Sequence, residues 1–142
     1  MLLVKASKDF EEGILPDEKM LSEMATYTAE LVNAGALLGC ERLHPSSTAK
    51  RVHYAQGNIT VTDGPFAETK ELVAGFSMIE AASREEAIEW AKRIPFQEGE
   101  VEVRPLFELA DFPVDPAEQP DGWRDKEEQF RATAPPRKPG TA

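Results

Sequence analysis

An α+β fold is predicted by three features of this 142-residue sequence. Short apolar runs and alternating segments are typical of β-strands, and two other segments repeat apolar residues at the three- and four-residue spacing of helices. A Gln-Gly pair between two of the strand segments is typical of a hairpin turn. The length suits a single domain with its own hydrophobic core. The predicted order is strand, helix, strands, helix, strand.

The first strand and the first helix occupy the N-terminal part of the chain. Leu2 to Ala6 is the first strand candidate, and Pro16 and Asp17 suit the first turn of a helix, where proline is tolerated and acids complement the helix dipole. The helix is predicted over Asp17 to Ala34, and Gly35 is placed to end it in a left-handed conformation. Its apolar stripe consists of Met20, Met24, Tyr27 and Leu31.

Four strands and a second helix follow, and a last strand closes the order. The strand segments are ALLGCERL (36–43), RVHYA (51–55), NITVT (58–62), VAGFSMIEA (73–81) and EVEVRPLFE (100–108). Gln56 and Gly57 join the second and third segments as a hairpin. Ser83, followed three residues later by Glu86, forms a capping box that predicts a helix start, and Pro95 marks its end.

This order is a ferredoxin-like βαββαβ plan with an extra β-hairpin. Two helices cover only one face of such a sheet, so the other face needs a cover, and pairing of two copies through their sheets is the simplest one. We therefore expect a homodimer. The domain is predicted over residues 1–107. Residues 108–142 hold six of the 11 prolines and are predicted to form a Pro-rich acidic arm laid on a surface, with a disordered end.

Composition excludes several classes of function. The net charge of −10 argues against nucleic-acid partners and anionic membranes, which favour clustered Lys and Arg. No apolar run is long enough to span a bilayer, and no secretory signal is evident. Cys40 is the only cysteine, so no internal disulfide is possible and a cytoplasmic location is expected. The two histidines match no metal-ligand spacing, and no phosphate or dinucleotide loop is present, so no metal or cofactor is expected.

The most distinctive segment is VTDGPFAETKE, residues 61–71. Gly64 and Pro65 explain it as a turn, in which Asp63 can hydrogen-bond the backbone two residues on. The same loop is dense in functional groups, which favours a cleft-lining role. A structural turn and a ligand site both remain open. The ligand-binding candidates are Gly64, Pro65, Phe66, Glu68, Thr69 and Lys70, and Asp63 is the acid–base candidate.

The candidate site is completed by two residues that precede this segment in the sequence, Arg42 and His44. Arg42 alternates with Glu41 on a strand and can hold an anionic group or pair with a carboxylate such as Asp63, although a solvated edge pair explains it equally well. His44 precedes Pro45 at the strand end, and it is either a general base or an exposed loop histidine.

The chain from Leu2 to Phe107 resembles the YCII-related family, and within it the DGPF branch. The matching segments are AGALLGCERLHP, VTDGPFAETKELVAGFSMIE, EEAIEWA and GEVEVRPL. The resemblance implies a dimeric α+β barrel on a ferredoxin-like fold. Some members of the broader family place a His–Asp pair in the cleft, with the histidine on the first helix. Here the helix predicted over Asp17 to Ala34 has no histidine, so that pair does not carry over.

Two functions follow as hypotheses, and whether the protein is an enzyme stays open between them. The first is a homodimer that binds a small polar or anionic metabolite beside the DGPF loop, with Asp63 as acid or base, assisted by Arg42 or His44. The second is a non-catalytic interaction module that uses the dimer surface and the arm to bind a transcription-related protein, since relatives occur beside or fused to sigma factors.

Overall fold

The structure, a computed structural model, describes residues 1–67, 71–108, 111–112 and 122–133. Six strands and four helices are present in those ranges, together with one turn of 3-10 helix at Ser46–Thr48. The strands are β1 (Leu2–Lys5), β2 (Leu37–Arg42), β3 (Lys50–Ala55), β4 (Asn58–Asp63), β5 (Val73–Ile79) and β6 (Val101–Val103). The helices are α1 (Lys8–Glu11), α2 (Glu18–Asn33), α3 (Arg84–Lys92) and α4 (Trp123–Thr133).

Four of the strands form one antiparallel sheet in the order β2-β5-β1-β6. With β3 and β4 set aside, that order is consistent with the predicted ferredoxin-like plan. The remaining two strands form a separate two-stranded sheet. The α+β class is therefore confirmed. The described residues of one chain form no closed barrel, because the four-stranded sheet is open at β2 and β6.

The core lies between α2, α3 and one face of the large sheet. Tyr27, Leu31 and Ala36 form the buried cluster, and Trp90 and Ile94 at the other helix pack against it. Leu31 and Leu2 are each only 1% exposed. Val101 and Val103 lie beside apolar residues of α3, and Leu2 shares their face because it pairs with Val103.

The opposite sheet face carries Leu3, Phe76 and Glu102, which pair with one another across β1, β5 and β6. The α3 contacts lie on the other side of the sheet. Met78 shares the face of Phe76 and is buried, at 7% exposure, whereas Leu3 and Phe76 are half-buried in the single chain. This Leu3–Phe76 face is the surface for which the sequence predicts a cover.

Helix ends follow their local sequence. The Asp17 carboxylate accepts from the Met20 N–H at 2.7 Å and begins α2 one residue later than predicted. Gly35 adopts φ +68 beyond the helix end, as expected. The Ser83 hydroxyl accepts from the Glu86 N–H, and the Glu86 carboxylate accepts from the Ala82 N–H. The capping box predicted at Ser83 is thus confirmed, and Asp17 is the N-cap of α2 rather than a residue of its first turn.

Three differences from the sequence-based expectation concern short or late elements. The last strand ends at Val103, because Pro105 has no N–H to extend the ladder. The four-residue helix α1, capped by Ser7, was not predicted, since four residues carry no helical period. Helix α4 was not predicted either and lies inside the proposed arm. In the described part of the chain, no helix has the length and apolar character needed to cross a membrane.

Candidate functional site

A cleft of about 270 Å³ lies between α1, the Ser46–Thr48 turn and the DGPF loop, residues 63–66. Its apolar wall is formed by Leu43, Ala49, Phe66, Leu72 and Val73. Its polar groups are the Glu11 carboxylate, the His44 imidazole and the hydroxyls of Ser46 and Thr48. Apolar walls with a few converging polar groups are typical of small-molecule sites.

Ser46 holds the walls of this cleft together. Its backbone N–H donates to the two oxygens of Glu11 at 3.2 and 3.1 Å, and its hydroxyl donates to the same carboxylate. The hydroxyl oxygen also accepts from the Phe66 N–H at 3.1 Å. Ser46 is the one buried polar residue of the described chain, at 6% exposure. Its hydrogen bonds are therefore shielded from water and fix α1 and the DGPF loop to one turn.

Gly64 is required by close approach rather than by turn geometry. A Cβ atom there would lie 1.7 Å from the Ser46 carbonyl oxygen and 3.3 Å from that of Ala49. Its N–H donates to the Ala49 carbonyl at 2.9 Å. The following peptide bond to Pro65 is cis. The glycine of the motif thus lets the DGPF loop lie directly against the Ser46 turn.

Asp63 lies at the end of β4, opposite Lys50 in the hairpin register. Its carboxylate accepts from the Lys50 ammonium at 2.5 Å, and both side chains are well exposed, at 74% and 66%. In the described chain, neither Arg42 nor His44 is bonded to it. An exposed pair of this kind contributes about 0–1 kcal/mol.

The other predicted site residues fall into three groups. Phe66 and His44 line the cleft, and Gly64 and Pro65 form the loop beside it. Arg42 ends β2 as an exposed residue and does not line the cleft. Glu68, Thr69 and Lys70 lie outside the described residues.

The ring of Phe66 is also in contact with a cationic side chain, that of Arg51. The Arg51 guanidinium carbon lies 3.9 Å from the centre of the phenyl ring, within the range of a cation–π contact. This contact joins β3 to the wall of the cleft. Arg51 is the one half-buried residue of the two hairpin strands, and the Phe66 ring covers part of its side chain.

Glu11 and Ser46 were missed by the sequence analysis. Glu11 belongs to a polar segment whose helix is too short to show a period, and Ser46 is one of two adjacent serines after Pro45. The available signal was the HPSS turn itself, which places a capping-type hydroxyl close after a strand end. Nothing local pairs it with a carboxylate 35 residues earlier. In the described residues, no group of three His, Cys, Asp or Glu side chains is placed to hold a metal ion.

Comparison with known proteins places the whole domain in one family. The family model of the YCII-related domain matches residues 1–110, which includes β1 to β6 and the cleft. The chain is also similar to the uncharacterized protein R00369 of Rhizobium meliloti (strain 1021), at 38% identity over 93 residues. That match covers 63% of this chain and 75% of the relative. The chain therefore belongs to the YCII-related family.

Proposed function

We propose that this protein binds a small polar metabolite in the cleft between α1 and the DGPF loop. The observation that supports the proposal is that one cleft is lined by three polar residues, Glu11, His44 and Ser46, together with the aromatic residue Phe66. The volume of about 270 Å³ is at the small end of ligand pockets. A ligand of a few heavy atoms with one apolar edge fits that combination.

The polar groups suit recognition and proton transfer. The Glu11 carboxylate already accepts from Ser46, which holds it in one orientation and leaves its remaining lone pairs for a donor on the ligand. His44 is an exposed residue of the cleft lining, and histidine is the side chain most often used as a general acid or base. On this proposal, Glu11 orients the ligand and His44 is the acid–base candidate. Asp63 keeps its predicted role only if its substitution changes binding.

The same proposal includes a homodimer. Leu3 and Phe76 lie on a sheet face opposite the α3 contacts, and a second sheet laid on that face would remove both from water. Two four-stranded sheets facing each other would give the dimeric α+β barrel that the family resemblance implies. The open edges of the sheet and the partial exposure of Leu3 and Phe76 support this arrangement.

A ligand screen with matched glutamate variants tests the cleft. Amide NMR spectra of the full chain are recorded with a panel of small carboxylates, amines, amides and polyols. A binder should shift the Ser46 and Phe66 amides first. Glu11→Gln should weaken that binder by about 10-fold to 100-fold, because a charged hydrogen bond is lost. Glu12→Gln, on the next residue, removes the same charge from an exposed pair with Lys8 and should leave affinity unchanged.

His44→Asn and Asp63→Asn extend the same experiment. Loss of binding in Asp63→Asn would restore that residue to the site, whereas equal affinity would assign it to the hairpin alone. If no compound in the panel shifts either cleft amide, the ligand-binding proposal fails. Equal affinity in Glu11→Gln and Glu12→Gln would move the site elsewhere.

A second candidate function is protein interaction through the arm. Large apolar side chains are exposed at the end of the domain and on α4: Leu106 at 51%, Phe107 at 72% and Phe130 at 64%. Exposed apolar residues of this size favour a partner surface. On this alternative the partner is a protein, of the transcription-related kind that the family setting suggests.

Truncation separates the two functions. A chain lacking residues 108–142 should lose a protein partner in a crosslinking experiment and keep the cleft amide shifts. Glu11→Gln should do the reverse. If truncation changes neither readout, the arm has no interaction role.

A further inference from the structure

The β3–β4 hairpin has one apolar face and one polar face. Its register opposes Val52 to Val61 and Tyr54 to Ile59, without a bulge, so these four side chains share a face. Their exposures are 47% and 59% for the valines, 78% for Tyr54 and 64% for Ile59. The other face carries Arg51, His53, Thr60 and Thr62. The alternation is that of a half-buried sheet, yet the apolar side is in water. The polar side is exposed as well, except at Arg51, which is half-buried.

The Arg51 contact shows which way the hairpin faces. Arg51 lies on the polar face, and its guanidinium stacks on Phe66 in the wall of the cleft. The polar face at the base of the hairpin is therefore turned toward the body of its own chain. The apolar face, on the other side of the two strands, is turned away from that body. Its own domain core does not cover it.

The charges at this face fit a second copy of the same chain. Lys50 and Asp63 are the charged residues on the apolar face, and they lie opposite each other at its base. The face is thus neutral, although the whole chain carries a net charge of −10. Two copies repel each other over most of their surface, and a neutral apolar face is where they can meet with least repulsion. A two-fold contact through this face would use the same patch on both copies, so its balanced Lys50–Asp63 pair would add no net charge to the contact.

We propose that the apolar face of the hairpin is a contact between two copies of this chain. This inference rests on the proposed homodimer and names a surface that the homodimer uses. A stable interface buries about 800 Å² on each partner, which four side chains do not supply alone. On this proposal the hairpin face acts together with the sheet face around Leu3 and Phe76.

Adjacent substitutions on β4 provide the test. Ile59→Lys places a cation on the apolar face, and Thr60→Lys places the same cation on the polar face one residue later. Sedimentation equilibrium of the full chain is measured from about 1 μM to about 1 mM. The dimer dissociation constant should rise by about 100-fold or more in Ile59→Lys, because a lysine would be buried in an apolar contact. It should stay within about threefold of the original in Thr60→Lys.

A second pair on β3, Tyr54→Lys and His53→Lys, repeats the comparison if either β4 variant fails to fold, as judged by circular dichroism. Dimers of equal strength in both members of each pair would overturn the hairpin contact and leave the proposed homodimer on the sheet face. Equal loss in both members would also overturn it, since the two faces would not differ. A monomeric original chain over the whole range would overturn the contact and the homodimer together.

Discussion

The hydroxyl of Ser46 donates to the Glu11 carboxylate and accepts from the Phe66 N–H. Ser46 itself is only 6% exposed. Ser46→Ala leaves the Phe66 N–H without its acceptor and removes one donor from the carboxylate. We expect a loss of about 1–3 kcal/mol in the free energy of unfolding, which is the cost of an unsatisfied buried group. Urea unfolding followed by circular dichroism measures it.

The neighbouring serine is the matched control for that loss. Ser47 is exposed, so Ser47→Ala should change the free energy of unfolding by less than about 0.5 kcal/mol. Equal urea midpoints for the two variants would mean that Ser46 does not hold the cleft walls together.

Gly64 and Asp63 are adjacent in the DGPF motif and are expected to differ in what they contribute. Gly64→Ala puts a methyl group where the Ser46 carbonyl oxygen lies 1.7 Å away, so the loop backbone must move. We expect a loss of about 2 kcal/mol or more. Asp63→Ala removes only the exposed pair with Lys50 and should cost less than about 1 kcal/mol.

Thermal unfolding of both variants distinguishes these effects. A lower midpoint for Gly64→Ala than for Asp63→Ala is the expected result. The reverse order would show that the carboxylate, rather than the close approach of the backbone, gives the motif its structural role.

At the scale of elements, Tyr27 joins helices α2 and α3. Its hydroxyl donates to the Trp90 carbonyl at 3.0 Å, linking α2 to α3, and the residue is 5% exposed. Burial raises the pKa of the Tyr27 phenol to about 12, while the nearby Arg93 acts in the opposite direction. The neutral phenol is favoured in the folded state. Stability from this group is therefore fully present below pH ~10, the ordinary tyrosine pKa, and is lost as pH rises through about 12.

Alkaline titration of the two tyrosines checks this prediction. Absorbance of tyrosinate should include a step near pH 12 that belongs to Tyr27. Tyr27→Phe should remove that step and flatten the fall of the urea midpoint above pH ~10, whereas Tyr54→Phe should leave the step in place. A single absorbance step near pH ~10 would contradict the raised pKa.

The elements that the sequence predicted are those with a local signature. Gln56 and Gly57 both have positive φ, as the hairpin turn requires, and the capping box predicted at Ser83 is present. Helix α1 was not predicted, because its four residues are held by the Ser7 cap and by a contact between Glu11 and the distant residue Ser46. The cleft was predicted only in part for the same reason, because some of its contacts join residues that are distant in sequence. Phe66 and His44 were predicted from the motif and its surroundings, whereas a hydrogen bond spanning 35 residues leaves no local pattern.

At the scale of the whole molecule, charge opposes the association that the apolar surfaces favour. Each copy carries a net charge of −10, and the hairpin face contributes only the balanced pair of Lys50 and Asp63. Added salt screens the repulsion between the copies, with a Debye length of about 10 Å at 0.1 M, and leaves the apolar contact intact. The proposed dimer should therefore strengthen by about threefold to tenfold between about 20 mM and about 500 mM sodium chloride.

Sedimentation equilibrium at the two salt concentrations measures this change in the dimer dissociation constant. An interface made mainly of ion pairs would respond in the opposite direction, because salt screens attraction as well as repulsion. Ile59→Lys is the control for nonspecific association, since it should stay monomeric at both concentrations if salt acts through the hairpin contact. A dissociation constant that rises with salt would mean that charged residues elsewhere on the surface, and not the neutral apolar face, join the two copies.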